Sequence, residues 1–541
     1  MKRTFKLLIV SALSLYFITG CSADRTREDK AAAMIGKIDS PFFVVSMTPQ
    51  NLMDKSGILD GVLPFTYELV LGFFIDEDVS GVDYSVKTQI VVGKGESFQP
   101  NFYGIFKVKD EKKFVDMIEK EANADIVEKD GFKTAIKESD GYAVVWNDEF
   151  AIISNIPMDF AAMLNGNSGS GGDKTVTRLI EIIKAGKDGE VNATYAAFLK
   201  KDSDVSMYYD GKGFYGYLSS MMGEATEDVE KMKDTYEGVT SEIYINFNDG
   251  SIDIEFINML SDKLKDQLSF VAEKGVDGKL LTYANSPTPI LIGGYNFDML
   301  KFFDYFETQM SEDSYASMEK DINEVGLTMD EVKTSITGEI VYMIDRIESV
   351  ETTMDYGYGE PYTYKAQTPM FGMVIGVSNP AVFQKVLVDS LKLPNGAYQM
   401  GEAIVVLDGN VLFMTNDSSW SNKVIAKTTT TASKGADVIA KDPFAFYVDF
   451  VSMSTMEDLN DVKAYVNLFT EFSGGANLDG GKFTFKMKDA SKNSLRLIAE
   501  TVSAELTRLE VKSNESMEAE LEEAFLEGLD SLNEDIEKEL P

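Results

Sequence analysis

The chain has 541 residues, 44% of them hydrophobic, with 51 Lys+Arg against 89 Asp+Glu and a formal charge of −38, a field that repels phosphate backbones and disfavours nucleic-acid binding. Histidine is absent and Cys21 is the only cysteine, which excludes Ser-His-Asp and Cys-His catalysis, disulfides, zinc and iron-sulfur centres, and leaves carboxylates, lysine, tyrosine and hydroxyls as catalytic groups. The fold must therefore rest on packed cores, and this length and apolar content suffice for two or more.

Lys2, Arg3 and Lys6 precede an apolar run from Leu7 to Ile18, then small residues and Cys21, the layout of a secretory signal over 1–20. The run is shorter than the ~20 residues a membrane span needs. Ile18-Thr19-Gly20-Cys21 resembles the bacterial lipobox. The resemblance implies cleavage between Gly20 and Cys21, a diacylglycerol on the Cys21 thiol and acylation of the new amino terminus, so that the membrane is a partner through a lipid anchor. More than one acyl chain is what makes such an anchor stable. Ser22, where inner-membrane lipoproteins carry an aspartate, points to the outer membrane and leaves the face open. Loss of the three leader cations takes the formal charge to −41. Residues 21–37 read as a tether.

From 38 onward the chain states a pattern once and then again. A strand-like run, "SPFFVVSMTP" (40–49), opens the first copy. "DEDVSG" (76–81) follows, with Asp76, Asp78 and Ser80 before Gly81 in the positions of a calcium loop's first half; Lys87 stands where the bidentate glutamate belongs, so an acidic bend is the competing reading. "FYGIFKVKDEKKFVDMIEKE" from Phe102 reads strand, polar turn, helix, with Phe114, Met117 and Ile118 on one face. "GYAVVWNDEFAIISN" (141–155) is a hairpin signal. "NGNSGSGGDKT" (165–175) looks like a phosphate loop until Asp173 interrupts the Gly-Lys step, which leaves a Gly/Ser connector. "VSMYYD" (205–210), a helical segment and a hairpin turning at Asp249-Gly250 close this copy.

The second copy runs in the same order. "SPTPILIGGY" (286–295) answers the opening strand. "MFGMVIGVSNPAVFQKVLVDS" from Met370 answers the strand-turn-helix with one residue inserted, its helical face expected at Phe383, Val386, Leu387 and Leu391. "EAIVVLDGNVLFMTN" (402–416) answers the hairpin without a gap, and "FAFYVD" (444–449) answers "VSMYYD". A last hairpin is expected from Gly481. Between the strands "GEIVYMIDRI" and "TPMFGMVIGV" lies "MDYGYGEPYTY" (354–364), whose Tyr356, Tyr358, Tyr362 and Tyr364 make a candidate contact loop for protein or carbohydrate, or a hairpin tip packed on its own sheet. After 510 an acidic stretch carries Leu521, Phe525, Leu529, Leu532 and Ile536 at helical spacing.

These elements predict an α+β fold of two homologous repeats, 38–275 and 285–510, each a mostly antiparallel sheet with helices on one face, followed by an amphipathic C-terminal helix over 511–541. With the lipobox, the length and the duplicated units in view, the chain resembles a family of Gram-negative lipoproteins described only as a domain of unknown function. The resemblance implies an exported, membrane-tethered role and supplies no catalytic residues. The expected function is non-enzymatic binding or scaffolding in the cell envelope, with a protein or glycan partner and no cofactor. The alternative is a carboxylate-based polysaccharide hydrolase, which requires two acids across a cleft, one with a raised pKa.

Overall fold

The computed structural model describes residues 25–60, 80–95, 99–120, 124–157, 171–222, 233, 235–324, 326–354, 362–388, 390–430, 433–454, 462–509 and 511. It is an α+β protein with extensive antiparallel sheet and, among the described residues, many helices, two of them of 3-10 type. The chain divides into two bodies, 1–48 with 77–237 and 49–76 with 238–541.

The first body holds β1 (Pro41–Met47), β2 (Thr88–Gly93), β3 (Asn101–Phe106), β4 (Ile126–Lys129), β5 (Phe132–Lys137), β6 (Tyr142–Trp146), β7 (Ala151–Asn155) and β8 (Val205–Asp210). Its antiparallel ladders run β8-β1-β2-β3-β7-β6-β5-β4. Helices cover both faces of this sheet rather than the one expected. Phe114 of the helix Glu111–Lys120 meets the Trp146 ring at 5.3 Å on one side. On the other, the helix Gly171–Asp188 lies so close that a Cβ on Gly172 would sit 2.7 Å from Ile136. The cause is legible in β6, where Ala143 to Trp146 are all buried. A strand apolar at successive positions needs a cover on each side.

The segment expected as a tether, 21–37, contains a packed helix instead. Residues Arg27–Lys37 form a helix, opened by a capping box between Thr26 and Asp29, with Ala31, Ala32, Ala33, Met34 and Ile35 buried. It packs against Gly171–Asp188 and Ala193–Lys200, and therefore belongs to the body.

The second body holds β9 (Val239–Asn248), β10 (Ser251–Leu260), β11 (Leu291–Asn296), β12 (Ile336–Met354), β13 (Tyr362–Val377), β14 (Leu391–Lys392), β15 (Tyr398–Met400), β16 (Ala403–Asp408), β17 (Val411–Thr415), β18 (Phe444–Asp449), β19 (Phe469–Asn477) and β20 (Gly480–Met487). The ladders run β9-β10-β20-β19-β18-β11-β12-β13-β17-β16-β15-β14, all antiparallel. The β9-β10 hairpin turns at Asp249-Gly250, with Gly250 at φ +72°. Although the sequence places that hairpin in the first repeat, β10 pairs with β20 and joins this body. Trp420, fully buried with Phe413 and Met343, centres the core beneath the helix Ser418–Ile425, and its indole Nε1 donates to Tyr283 O at 2.8 Å.

Two expectations need correction here. The hairpin expected from Gly481 is β20 alone, paired backward with β19; from 494 to 509 the chain is helical. Leu391 is not on the buried face of the helix Pro380–Leu387, where Val382 and Leu387 are buried; it lies in the short β14 and is 68% exposed. The helix ends at Leu387, before its apolar spacing does.

Candidate functional site

The anchor residues Gly20 and Cys21, the acids Asp76 and Asp78, the tyrosines Tyr356 and Tyr358, and the acidic stretch after 511 lie outside the described residues. Ser80 is buried, and its hydroxyl accepts from the Val82 N–H at 3.2 Å, as the bend requires. Gly81, at φ +65°, faces Asp110 O so closely that a Cβ would lie 2.3 Å from it. Among the described residues no group of three His, Cys, Asp or Glu is placed to hold a metal ion. Of the segment 165–175, the described part, Gly171 onward, begins the helix Gly171–Asp188.

The remaining tyrosines lead to the feature that most departs from a plain sheet. β12 pairs with β11 only from Glu339 to Ile344, and β13 pairs with β17 only from Gly372 to Gly376. Beyond those limits the two strands continue paired with each other, Ile347 opposite Pro369 and Met354 opposite Tyr362. At 3.3 to 3.4 Å per residue, Arg346 to Met354 extends about 30 Å as a two-stranded ribbon. Glu348, Ser349, Val350 and Glu351 on one strand and Lys365 on the other are exposed, and Tyr362 is 63% exposed. Tyr362 and Tyr364 thus belong to the ribbon and not to a loop.

A register shift between Ile344 and Arg346 marks its root, and a charged network fixes it there. Arg346 contacts three carboxylates: Asp345 at 3.0 Å, Asp417 at 2.8 Å and Glu348 at 2.6 Å. Asp345 and Asp417 are buried. Asp417 also caps the helix Ser418–Ile425 by accepting from the N–H groups of Ser419 and Trp420. Asn285 donates to Asp345 at 2.7 Å and accepts from Lys423 at 2.8 Å. Burial alone would lower the Arg346 guanidinium pKa, but its bonds to Glu348, Asp417 and Asp345 outweigh that and raise it. The sequence signal was the charged pair Asp345-Arg346 directly after the apolar run Ile340 to Ile344; it marks where the strand leaves the sheet.

A side-chain clamp closes the other edge of the ribbon root. Asn416 accepts from Phe371 N at 3.0 Å and donates to Pro369 O at 2.9 Å. The first body has the same clamp: Asn155 accepts from Phe102 N at 2.7 Å and donates to Pro100 O at 3.3 Å. Asn155 ends β7 and Asn416 directly follows β17, each the second strand of a hairpin, and both hold a Pro-x-Phe segment.

Two shallow grooves lie among the described residues. One of about 550 Å³ is lined by Asp54, Lys55, Asn493, Arg496 and Glu500; the other, about 1170 Å³, lies beside Phe132, Glu181, Lys184 and Asp188. Glu500 is held low by Lys492, against the upward pull of burial, with Arg496 helping. The other displaced carboxyls among the described residues, Asp29, Asp83, Glu331, Asp408 and Asp489, also shift downward. No described helix is long and apolar enough to cross a membrane.

No protein-family model and no curated protein matches this chain. Among solved structures it is similar to crystal form IV of TP0453, at 8% identity and a TM-score of 0.26 over 42% of this chain and 79% of that one. Crystal form I matches at 9% identity and a TM-score of 0.25 over 48% and 90%. Likeness at this level carries no argument about function.

Proposed function

We propose that this chain is an exported, outer-membrane lipoprotein, anchored through Cys21, whose duplicated body binds a protein or glycan partner and performs no catalysis. The duplication is supported by strand order and register together. β8-β1-β2-β3-β7-β6-β5-β4 has the same connectivity as β18-β11-β12-β13-β17-β16-β15-β14. Tyr103 opposite Ser154 answers Gly372 opposite Thr415. In this register Phe102 corresponds to Phe371 and Phe114 to Phe383, and the inserted residue inferred from sequence is unnecessary. Asp210 and Asp449, which end corresponding strands, each accept from backbone N–H groups two and three residues on, at 3.0 and 3.4 Å.

The observation that carries binding over catalysis is the ribbon. It stands outside the elements the two halves share, and a two-stranded element contributes little stability of its own in water. The downward-shifted carboxyls give the hydrolase reading no support, since that chemistry needs an acid held protonated near neutrality. A glycan array combined with a polysaccharide hydrolysis screen on the full chain tests the proposal. Turnover abolished by a single Asp or Glu substitution overturns it.

A further inference from the structure

The two halves differ most where β12 and β13 continue past the sheet. Val92 and Phe102 in the first body correspond to Ile344 and Phe371 in the second, and the chain between them is far longer in the second. If the halves are copies, a rest on the duplication proposed above, the fold closes without this extension, as the first body shows. The extension is nonetheless held firmly, by a guanidinium shared among three carboxylates, two of them buried. Fixing an extended element in advance lowers the ordering cost of binding to it.

Its two edges are treated differently. On β13 the root edge carries Pro369, which has no N–H to offer, and the Asn416 clamp occupies Pro369 O and Phe371 N. On β12, from Ile347 to Glu351, there is no proline, and no other described strand pairs with that edge. Sheet edges are ordinarily blunted, and here one side is blunted and the other left available. Of the exposed acids along the available strand, Glu348 is paired with Arg346 and Glu351 stands opposite Lys365, and the whole chain is at −38. Charge therefore disfavours a second copy and favours a cationic guest.

We infer that the outer edge of β12, residues 347–351, is a docking site for an extended, lysine- or arginine-bearing segment of a partner protein, which adds to the ribbon as a third strand. Main-chain hydrogen bonds supply the affinity and the chain's net negative charge selects a cationic guest.

The test uses a short fluorescein-labelled peptide alternating lysine with valine and threonine, and two versions N-methylated on every second residue in opposite phases. Anisotropy is read against the full chain and against a variant in which 348–367 is replaced by a Gly-Ser turn. Strand addition predicts that one methylated phase binds at least about tenfold more weakly while the other binds like the parent, because only one peptide edge faces β12. The shortened variant loses binding to the same extent. Equal binding of both phases means charge attraction alone and overturns the inference, as does no binding of the parent peptide. A dimer of the full chain that becomes monomeric on shortening overturns it in favour of self-association. The methylation comparison uses the unaltered protein and stands even if the shortened variant fails to fold. Glycan binding with no peptide binding defeats this inference and leaves the broader proposal standing; acid-dependent hydrolysis defeats the broader one.

Discussion

Asn155 and Asn416 each satisfy one donor and one acceptor of a Pro-x-Phe segment where neighbouring strand pairing stops. A net value near 1 kcal/mol per hydrogen bond sets the cost of removing either side chain at about 1–2 kcal/mol. Asn416→Ala and Asn155→Ala should each lower the denaturation midpoint accordingly; a change in only one would argue against equivalent roles. Gly372 tests packing instead. A Cβ there would lie 2.5 Å from the Trp420 ring, which is fully buried, so Gly372→Ala should cost about 1–3 kcal/mol and quench or shift Trp420 fluorescence. Asp83 tests charge. Burial alone would raise its carboxyl, but Lys107 at 2.7 Å and Ser85 at 2.5 Å hold it below its ordinary value. A depressed carboxyl contributes stability above the unfolded value, about 3.9, and loses it as pH falls through the folded one. Urea midpoints should therefore fall less steeply for Asp83→Asn than for the parent below about pH 4, and parallel curves would contradict the assignment.

At the scale of elements, the helix Arg27–Lys37 has the clearest practical consequence. A chain begun at 38, where the sequence places the domain start, removes Met34 and Ile35 from a buried setting, each worth about 1.5–3 kcal/mol. Its thermal midpoint should fall well below that of a chain begun at 25, and equal midpoints would return 27–37 to the tether. The sequence hid this helix because three consecutive alanines carry little apolar signal, although they pack tightly. The strand pairs and the Phe-led helices were legible for the opposite reason: their apolar residues repeat at the period of the element. The length of the ribbon was not legible: the sequence offers 354–364 as a contact loop or a hairpin tip, and a strand exposed on both sides, as at Glu348 to Glu351, leaves no alternation to detect. Arg346→Ala should free it at the root, measurable as faster amide exchange over 347–351 with exchange in β18 unchanged.

Over the whole molecule, the α+β class and the antiparallel sheet were legible in the hairpin-rich pattern, whereas the boundary between bodies was not. The β9-β10 hairpin, which the sequence places in the first repeat, pairs through β10 with β20, and local pattern says nothing about which distant edge a hairpin will join. The lipid anchor rests on a different kind of evidence, a four-residue motif in its upstream context. Cys21→Ser should move the protein from the membrane to the soluble fraction, and continued attachment would place the anchor elsewhere. The central claim is that a duplicated scaffold carries its function on the one long element that only its second half possesses. The most direct measurement is the melting temperature and the cationic-peptide affinity of the same ribbon-shortened protein: an unchanged midpoint with binding lost is the predicted result, and a collapsed fold or undiminished binding would contradict it.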